Sequence, residues 1–155
     1  MKNLLIFSGL MFIILFNSCK KEESNTDKLC GKYWVITEAT VDPSVAIVDE
    51  NGNIMGYTNN IFAQLDPCDK DDVEKYKSDG TLIWETRVMC NANDAPSGNG
   101  TWEFHSDETV IIERVGGNSY TYTILELTNS KFQYNYEMNL SGIIYNLVIT
   151  CEPED

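Results

Sequence analysis

Five cysteines, a single histidine and 24 acids are the residues in this 155-residue chain whose chemistry could be put to use. Cys30, Cys68, Cys90 and Cys151 form an even set once Cys19, beside the apolar N-terminal run, is set aside. In an exported domain an even set points to disulfides. Four cysteines allow three pairings, and the expected one joins Cys30 to Cys151 and Cys68 to Cys90. Cys30 opens the domain and Cys151 ends it, so their bridge would tie the first strand to the last. Cys68 and Cys90 flank a hairpin. Zinc ligation is disfavoured, because there is no CxxC pair and His105 is the only histidine.

Catalytic sets are no better supported. His105-Ser106-Asp107 holds the residue types of a triad, but neighbours at a hairpin turn point in different directions. Glu103 and Glu113 could serve glycosidase chemistry, yet with so many acids such pairs arise by chance. Asp49-Glu50-Asn51-Gly52-Asn53 starts like a calcium loop. Ile54 then stands where glycine is expected, and Asn60 where a bidentate glutamate should be, so a polar turn is the expectation. Asp66, Asp69, Asp71 and Asp72 suit a capped short helix in a solvated loop. The expectation is a protein that is not an enzyme, with no catalytic residue, metal or cofactor. Trp34, Trp84, Trp102, Phe104, Tyr122, Tyr134 and Tyr136 are the candidate binding residues. They could line a pocket for an apolar ligand, stack on sugar rings, or simply fill the interior.

The N-terminus sets the compartment. Lys2 precedes thirteen uncharged residues, Leu4 to Phe16. That length suits a signal-peptide core and is short for a membrane span. Asn17-Ser18-Cys19 follows, and a small residue before a cysteine resembles a lipoprotein processing site. Residues 1–18 are therefore read as a signal peptide, Cys19 as the lipidated residue, and residues 19–29 as a tether. Lys20-Lys21-Glu22-Glu23 resembles the surface-export signal of Bacteroidetes-type lipoproteins. The expected location is the outer membrane, lipid-anchored and facing the medium, with the periplasm as second choice. Losing Lys2 with the leader moves the formal charge from −13 to −14. Such a field repels nucleic acid and anionic lipid, so the only membrane contact expected is the anchor.

Elements that could position these residues are legible from Gly31 onward. Lys32 to Val41 reads as a strand. Others run from Val73 to Lys77, Thr81 to Arg87, Gly100 to His105, Thr109 to Val115, Ser119 to Leu127, Lys131 to Met138 and Ile143 to Thr150. Short polar turns join most of them, which implies an antiparallel meander. Tyr120, Tyr122 and Ile124 alternate with polar residues, as do Phe132, Tyr134 and Tyr136. One face is thus buried and one wet, and eight such strands bury it by closing into a barrel. One short helical turn is expected within Asn60 to Leu65. Residues 42–60, with Pro43, Gly52 and Gly56, and residues 91–99 read as loops.

The run Cys68 to Thr81, the preceding Ile61-Phe62-Ala63-Gln64-Leu65, Cys90, Gly100-Thr101-Trp102 and Tyr122 to Thr128 together resemble the Bacteroidetes lipocalin-like domain lipoproteins. The resemblance spans about Gly31 to Cys151. It implies an all-β, eight-stranded up-and-down barrel over residues 30–155, often with an internal cavity, on a lipid anchor. One departure is visible: two residues, not one, separate Gly31 from Trp34 on the first strand. Resemblance of this kind transfers fold further than ligand. The expected function is non-catalytic binding of a small hydrophobic molecule or glycan fragment. The alternative is an interaction module with a filled barrel that grips a protein or polysaccharide through its loops.

Overall fold

The computed structural model describes residues 23–92 and 95–154; the leader and Cys19 lie outside the described residues. Nine strands follow a short helix: α1 (Asn25–Leu29), β1 (Tyr33–Val48), β2 (Ile54–Asn60), α2 (Pro67–Lys70), β3 (Val73–Tyr76), β4 (Thr81–Glu85), β5 (Ser97–His105), β6 (Val110–Val115), β7 (Asn118–Leu127), β8 (Phe132–Leu140) and β9 (Ile143–Pro153). A 3-10 turn at Phe62–Gln64 lies between β2 and α2. It falls inside the stretch where a helical turn was expected.

Strands β3 to β9 pair in sequence order, and β9 returns to β1, which also pairs with β3. The result is a closed antiparallel barrel of eight strands, β1 and β3 to β9. Closure uses Ile36 opposite Cys151, Ala39 opposite Ile149 and Val41 opposite Leu147. Strand β2 stands outside the ring. It pairs at Thr40 and then with the far half of β1, Val45 to Val48, beyond the point where β1 leaves β9 at Asp42.

This corrects the expected loop over residues 42–60, much of which is a β-hairpin. Pro43 hid it, because proline cannot donate to a ladder. Here Pro43 falls in the irregular stretch between the Thr40–Asn60 and Val45–Thr58 pairs, just past the last partner on β9. The hairpin turns at Asp49, whose Oδ1 accepts from the backbone N–H groups of Asn51 and Asn53 at 2.9 and 2.8 Å. The Asn53 side-chain amide, donating to Oδ2 at 2.9 Å, together with those backbone bonds holds the Asp49 carboxyl below its usual range. The alternating Asp and Asn residues thus organise a turn.

The barrel ends differ. At one end lie α1, the β3–β4 turn and the β5–β6 turn. At the other lie the β1–β2 hairpin, α2, and the β4–β5 and β8–β9 connections. The first end is plugged. Leu29 is fully buried, and Nε1 of Trp34 donates to its carbonyl at 2.8 Å. Above it Trp34, Tyr76, Leu82, Trp102, Ile111 and Phe132 pack into one cluster. Tyr76 meets Trp102 and Phe132 edge-on, with centroids 5.5 and 5.9 Å apart. Such pairs contribute about 0.5–1.5 kcal/mol each beyond area burial.

Two expectations fail at this plugged end. Residues 25–29, read as tether, form a helix whose N-cap Ser24 and Asp27 make a reciprocal capping box. Packing of the domain therefore begins about six residues before Cys30. Nor do Cys30 and Cys151 form a bridge; both are free thiols. Register is the reason. Cys151 lies opposite Ile36, while Tyr33, three residues nearer Cys30, accepts at its carbonyl from the N–H of Glu154. Three strand residues already span about 10 Å, beyond the Cα separation a disulfide permits. Cys30 belongs instead to the end of α1, and the next residue, Gly31, bonds through its N–H to the Tyr76 carbonyl. Cys68 and Cys90 are joined, with Cα atoms 5.3 Å apart.

Candidate functional site

The interior changes character above the aromatic cluster. β1 parts from β3 after Val35, and β2 takes over its edge only at Thr40. The crossover of residues 61–72 runs over this gap, and beneath it lies a cavity of about 350 Å³. Trp34 and Cys151 lie at its inner wall, Trp84 stands at one side, and Ile36, Leu65 and Val73 add apolar surface. Asp69, Asp72, Glu74 and Glu85 supply the polar part. The disulfide anchors the cover, since it ties Cys68 on α2 to the connection that follows β4.

Trp84 owes its position to a glycine. A Cβ on Gly98, its partner on β5, would fall 2.4 Å from the indole ring. The ring therefore lies flat across the bare backbone of β5. That strand begins at Ser97 rather than Gly100, so part of the expected 91–99 loop belongs to the barrel wall.

Below the cavity two carboxyl groups share one hydroxyl. Oη of Tyr76 lies 2.5 Å from Oε1 of Glu113 and 3.2 Å from Oε2 of Glu74. Glu113 is 2% exposed, while Glu74 reaches the cavity. Burial first, then the neighbouring Glu74, pushes the Glu113 carboxyl up to about 8, against the pull of hydrogen bonds from Tyr76 and Tyr122. Burial raises Glu74 as well, and Asp72 adds to it. Proton counting agrees. Tyr76 has one hydroxyl hydrogen and two carboxyl neighbours, so for both contacts to be hydrogen bonds one carboxyl must carry a proton. The cavity thus sits on a carboxyl pair that retains an acid proton at neutral pH.

The candidate aromatics separate into two groups. Trp34 and Trp84 line the cavity. Trp102, with its Nε1 donating to the Lys77 carbonyl, packs edge-on against Phe104. Tyr122 packs against both Tyr134 and Tyr136, at 4.7 and 5.6 Å between centroids. This second group fills the barrel. His105 ends β5, and Ser106 and Asp107 begin the β5–β6 turn at the plugged end, away from the cavity.

Glu74 and Glu113 were missed as interior groups, although both stand in phase with apolar neighbours. Glu113 lies two residues from Ile111 and two from Val115, and Glu74 two from Tyr76. Period two places them inward as firmly as it does the tyrosines.

A closed eight-stranded up-and-down barrel, plugged at one end and partly hollow at the other, is the architecture of a lipocalin. Residues 29–134 match the lipocalin-like domain family, and the chain belongs to it. Two solved structures with a similar fold are of bovine odorant-binding protein. One, in complex with a selenium-containing odorant, is 14% identical, with 88% of this chain and 76% of that chain covered and a TM-score of 0.44. The other, in complex with undecanal, is 12% identical, with 88% and 77% covered and a TM-score of 0.45. No curated protein matches.

Proposed function

We propose that the protein is a lipid-anchored, surface-exposed, non-catalytic binder that takes a small, largely apolar molecule or a glycan fragment into the cavity beneath the 61–72 crossover. The supporting observation is the cavity: about 350 Å³ between two tryptophans, inside a barrel whose other half is tightly filled. That volume falls within the range of small-molecule sites. Indole faces suit either an aliphatic chain or a sugar ring. Anchoring fits the geometry, because α1 follows Cys19 by a few residues and lies at the plugged end, leaving the cavity end free.

Native mass spectrometry of the processed full-length chain in mild detergent tests the binding. A small molecule retained by the protein and lost in Trp84→Ala supports it. A protein that takes up none of a panel of fatty alcohols, aromatic alcohols and oligosaccharides refutes it. Labelling with palmitate, abolished by Cys19→Ala, together with protease sensitivity on intact cells, tests the anchor and the exposure.

A second reading, docking of a protein or polysaccharide through the loops, is favoured by the rim. Val48, Ile54, Met55 and Tyr57 of the β1–β2 hairpin are each more than half exposed, and Ile143 and Ile144 at the β8–β9 turn are similarly bare. Apolar residues gathered at one end are a feature of interaction surfaces. Loss of partner capture on replacing Ile54, Met55 and Tyr57 by serine, with small-molecule binding intact, would select this reading.

A further inference from the structure

Resting on the cavity reading above, we infer that its ligand is a small organic cation: an ammonium group seated against Glu74, with an apolar or aromatic body between Trp34 and Trp84. Three features of the walls lead there. The carboxyl groups lining the cavity are those of Asp69, Asp72, Glu74 and Glu85; no lysine, arginine or histidine among the described residues lines it. Glu85 already has a cation outside, since its Oε2 lies 2.6 Å from Arg87. Among the described residues Glu74 has no such cation: its Oε2 meets the Tyr76 hydroxyl at 3.2 Å, a group that Glu113 holds more closely.

The second feature is the indoles. A cation over the face of a tryptophan is attracted by the ring quadrupole, more strongly where water is excluded. Lys32 already uses Trp34 in this way, its Nζ 5.0 Å from the ring centroid. The third is the shared proton. A neutral ligand leaves the crowded carboxyl pair as it was. An ammonium group beside Glu74 supplies the counter-charge the pair lacks and favours its charged form. An anionic ligand meets repulsion from the same wall.

Three probes of similar size separate the possibilities: 2-phenylethylamine (cationic), 2-phenylethanol (neutral) and phenylacetate (anionic). Each is titrated by calorimetry into the processed full-length chain at pH 7, with a detergent-only blank. The amine is expected to bind at least about tenfold more tightly than the alcohol, with phenylacetate weakest. Glu74→Gln is expected to abolish the preference for the amine over the alcohol. Equal binding of amine and alcohol to the unaltered protein overturns the cation inference and leaves the cavity reading standing. An amine preference that persists in a folded Glu74→Gln protein also overturns it. Failure of all three probes to bind overturns the cation inference, while the cavity reading stands or falls on its own panel of fatty alcohols, aromatic alcohols and oligosaccharides. The comparison of probes on the unaltered chain needs no variant to fold.

Discussion

The Tyr76 hydroxyl lies 2.5 Å from Oε1 of Glu113, and that carboxyl is buried between an aromatic cluster and Glu74, the second acid that meets the same hydroxyl. A barrel interior otherwise built of rings and aliphatic chains has placed an acid pair where its filled half meets its hollow half. Much of what the molecule can do with a ligand, and how its stability responds to pH, depends on that junction.

Stability should fall as the medium becomes more alkaline. Glu113 is raised to about 8 in the folded chain, against ~4.3 in an unfolded one. Between those values the folded state holds more protons, so this contribution is fully present below about pH 4 and is lost as pH rises through about 8. Glu74 is raised too and acts in the same direction. Tyr76 and Tyr122, which face Glu113, are pushed up and stay protonated throughout. Asp49 and Asp79 are lowered, so theirs is the opposite sign, exerted at the acid end of the scale. Urea denaturation from pH 5 to 8 is expected to show declining stability, by at most ~1.4 kcal/mol per pH unit for each proton lost. Glu113→Gln should flatten the slope. A slope unchanged in that variant would show that Glu113 is not its source.

Thiol counting checks the cysteine arrangement. Alkylation in denaturant without reductant should label both Cys30 and Cys151, because among the described residues Cys68 and Cys90 are the joined pair. In the folded protein Cys30, half-buried beside a surface cavity, should react well before Cys151. Burial holds the Cys151 thiol well above its usual range, and the thiolate is the reactive form. No label on Cys30 or Cys151 in denaturant would mean that the two are bridged after all.

Gly98→Ala probes the cavity wall. The new methyl would meet the Trp84 indole at 2.4 Å, so the ring must tilt towards the cavity. Overpacking of this kind costs ~1–3 kcal/mol. Thermal denaturation should show that loss, and binding of any cavity ligand should weaken by more than the lost stability explains. Unchanged affinity would place the ligand elsewhere.

Leu29→Ala tests whether the N-terminal segment is structural. Leu29 is fully buried against Trp34, and removing a core leucine side chain costs ~2–5 kcal/mol. A flexible tether would tolerate the change with no shift in the denaturation midpoint.

The sequence made the C-terminal two thirds of the barrel legible because its strands alternate cleanly and their turns carry glycine, asparagine or serine. Tyr120, Tyr122 and Ile124 opposite Phe132, Tyr134 and Tyr136 could hardly be arranged otherwise. The N-terminal third was harder. Pro43, Gly52 and Gly56 are punctuation in most chains, and here they sit inside a bulged hairpin. A five-residue helix gives too little periodicity to distinguish α1 from a linker. Chain position suggested that Cys30 and Cys151 should meet, but strand register decides such contacts and is not written in the spacing of two residues. The acid pair escaped for a different reason. Glu113 was in view, weighed against Glu103, its neighbour across the sheet on the opposite face. Its partner Glu74 arrives from β3 by way of Tyr76, a three-body contact that no local pattern announces.

The most direct test of a half-filled, half-hollow barrel uses the three tryptophans as internal reporters. Indole N–H resonances of the ¹⁵N-labelled chain should be followed during titration with 2-phenylethylamine. Trp84, at the cavity wall, is expected to shift most and Trp34 less, because its N–H is turned away to the Leu29 carbonyl. Trp102, locked in the filled half with its N–H on the Lys77 carbonyl, should stay in place. A shift at Trp102 with Trp84 unmoved, or no shift at any of the three at saturating probe, would contradict the cavity as the binding site.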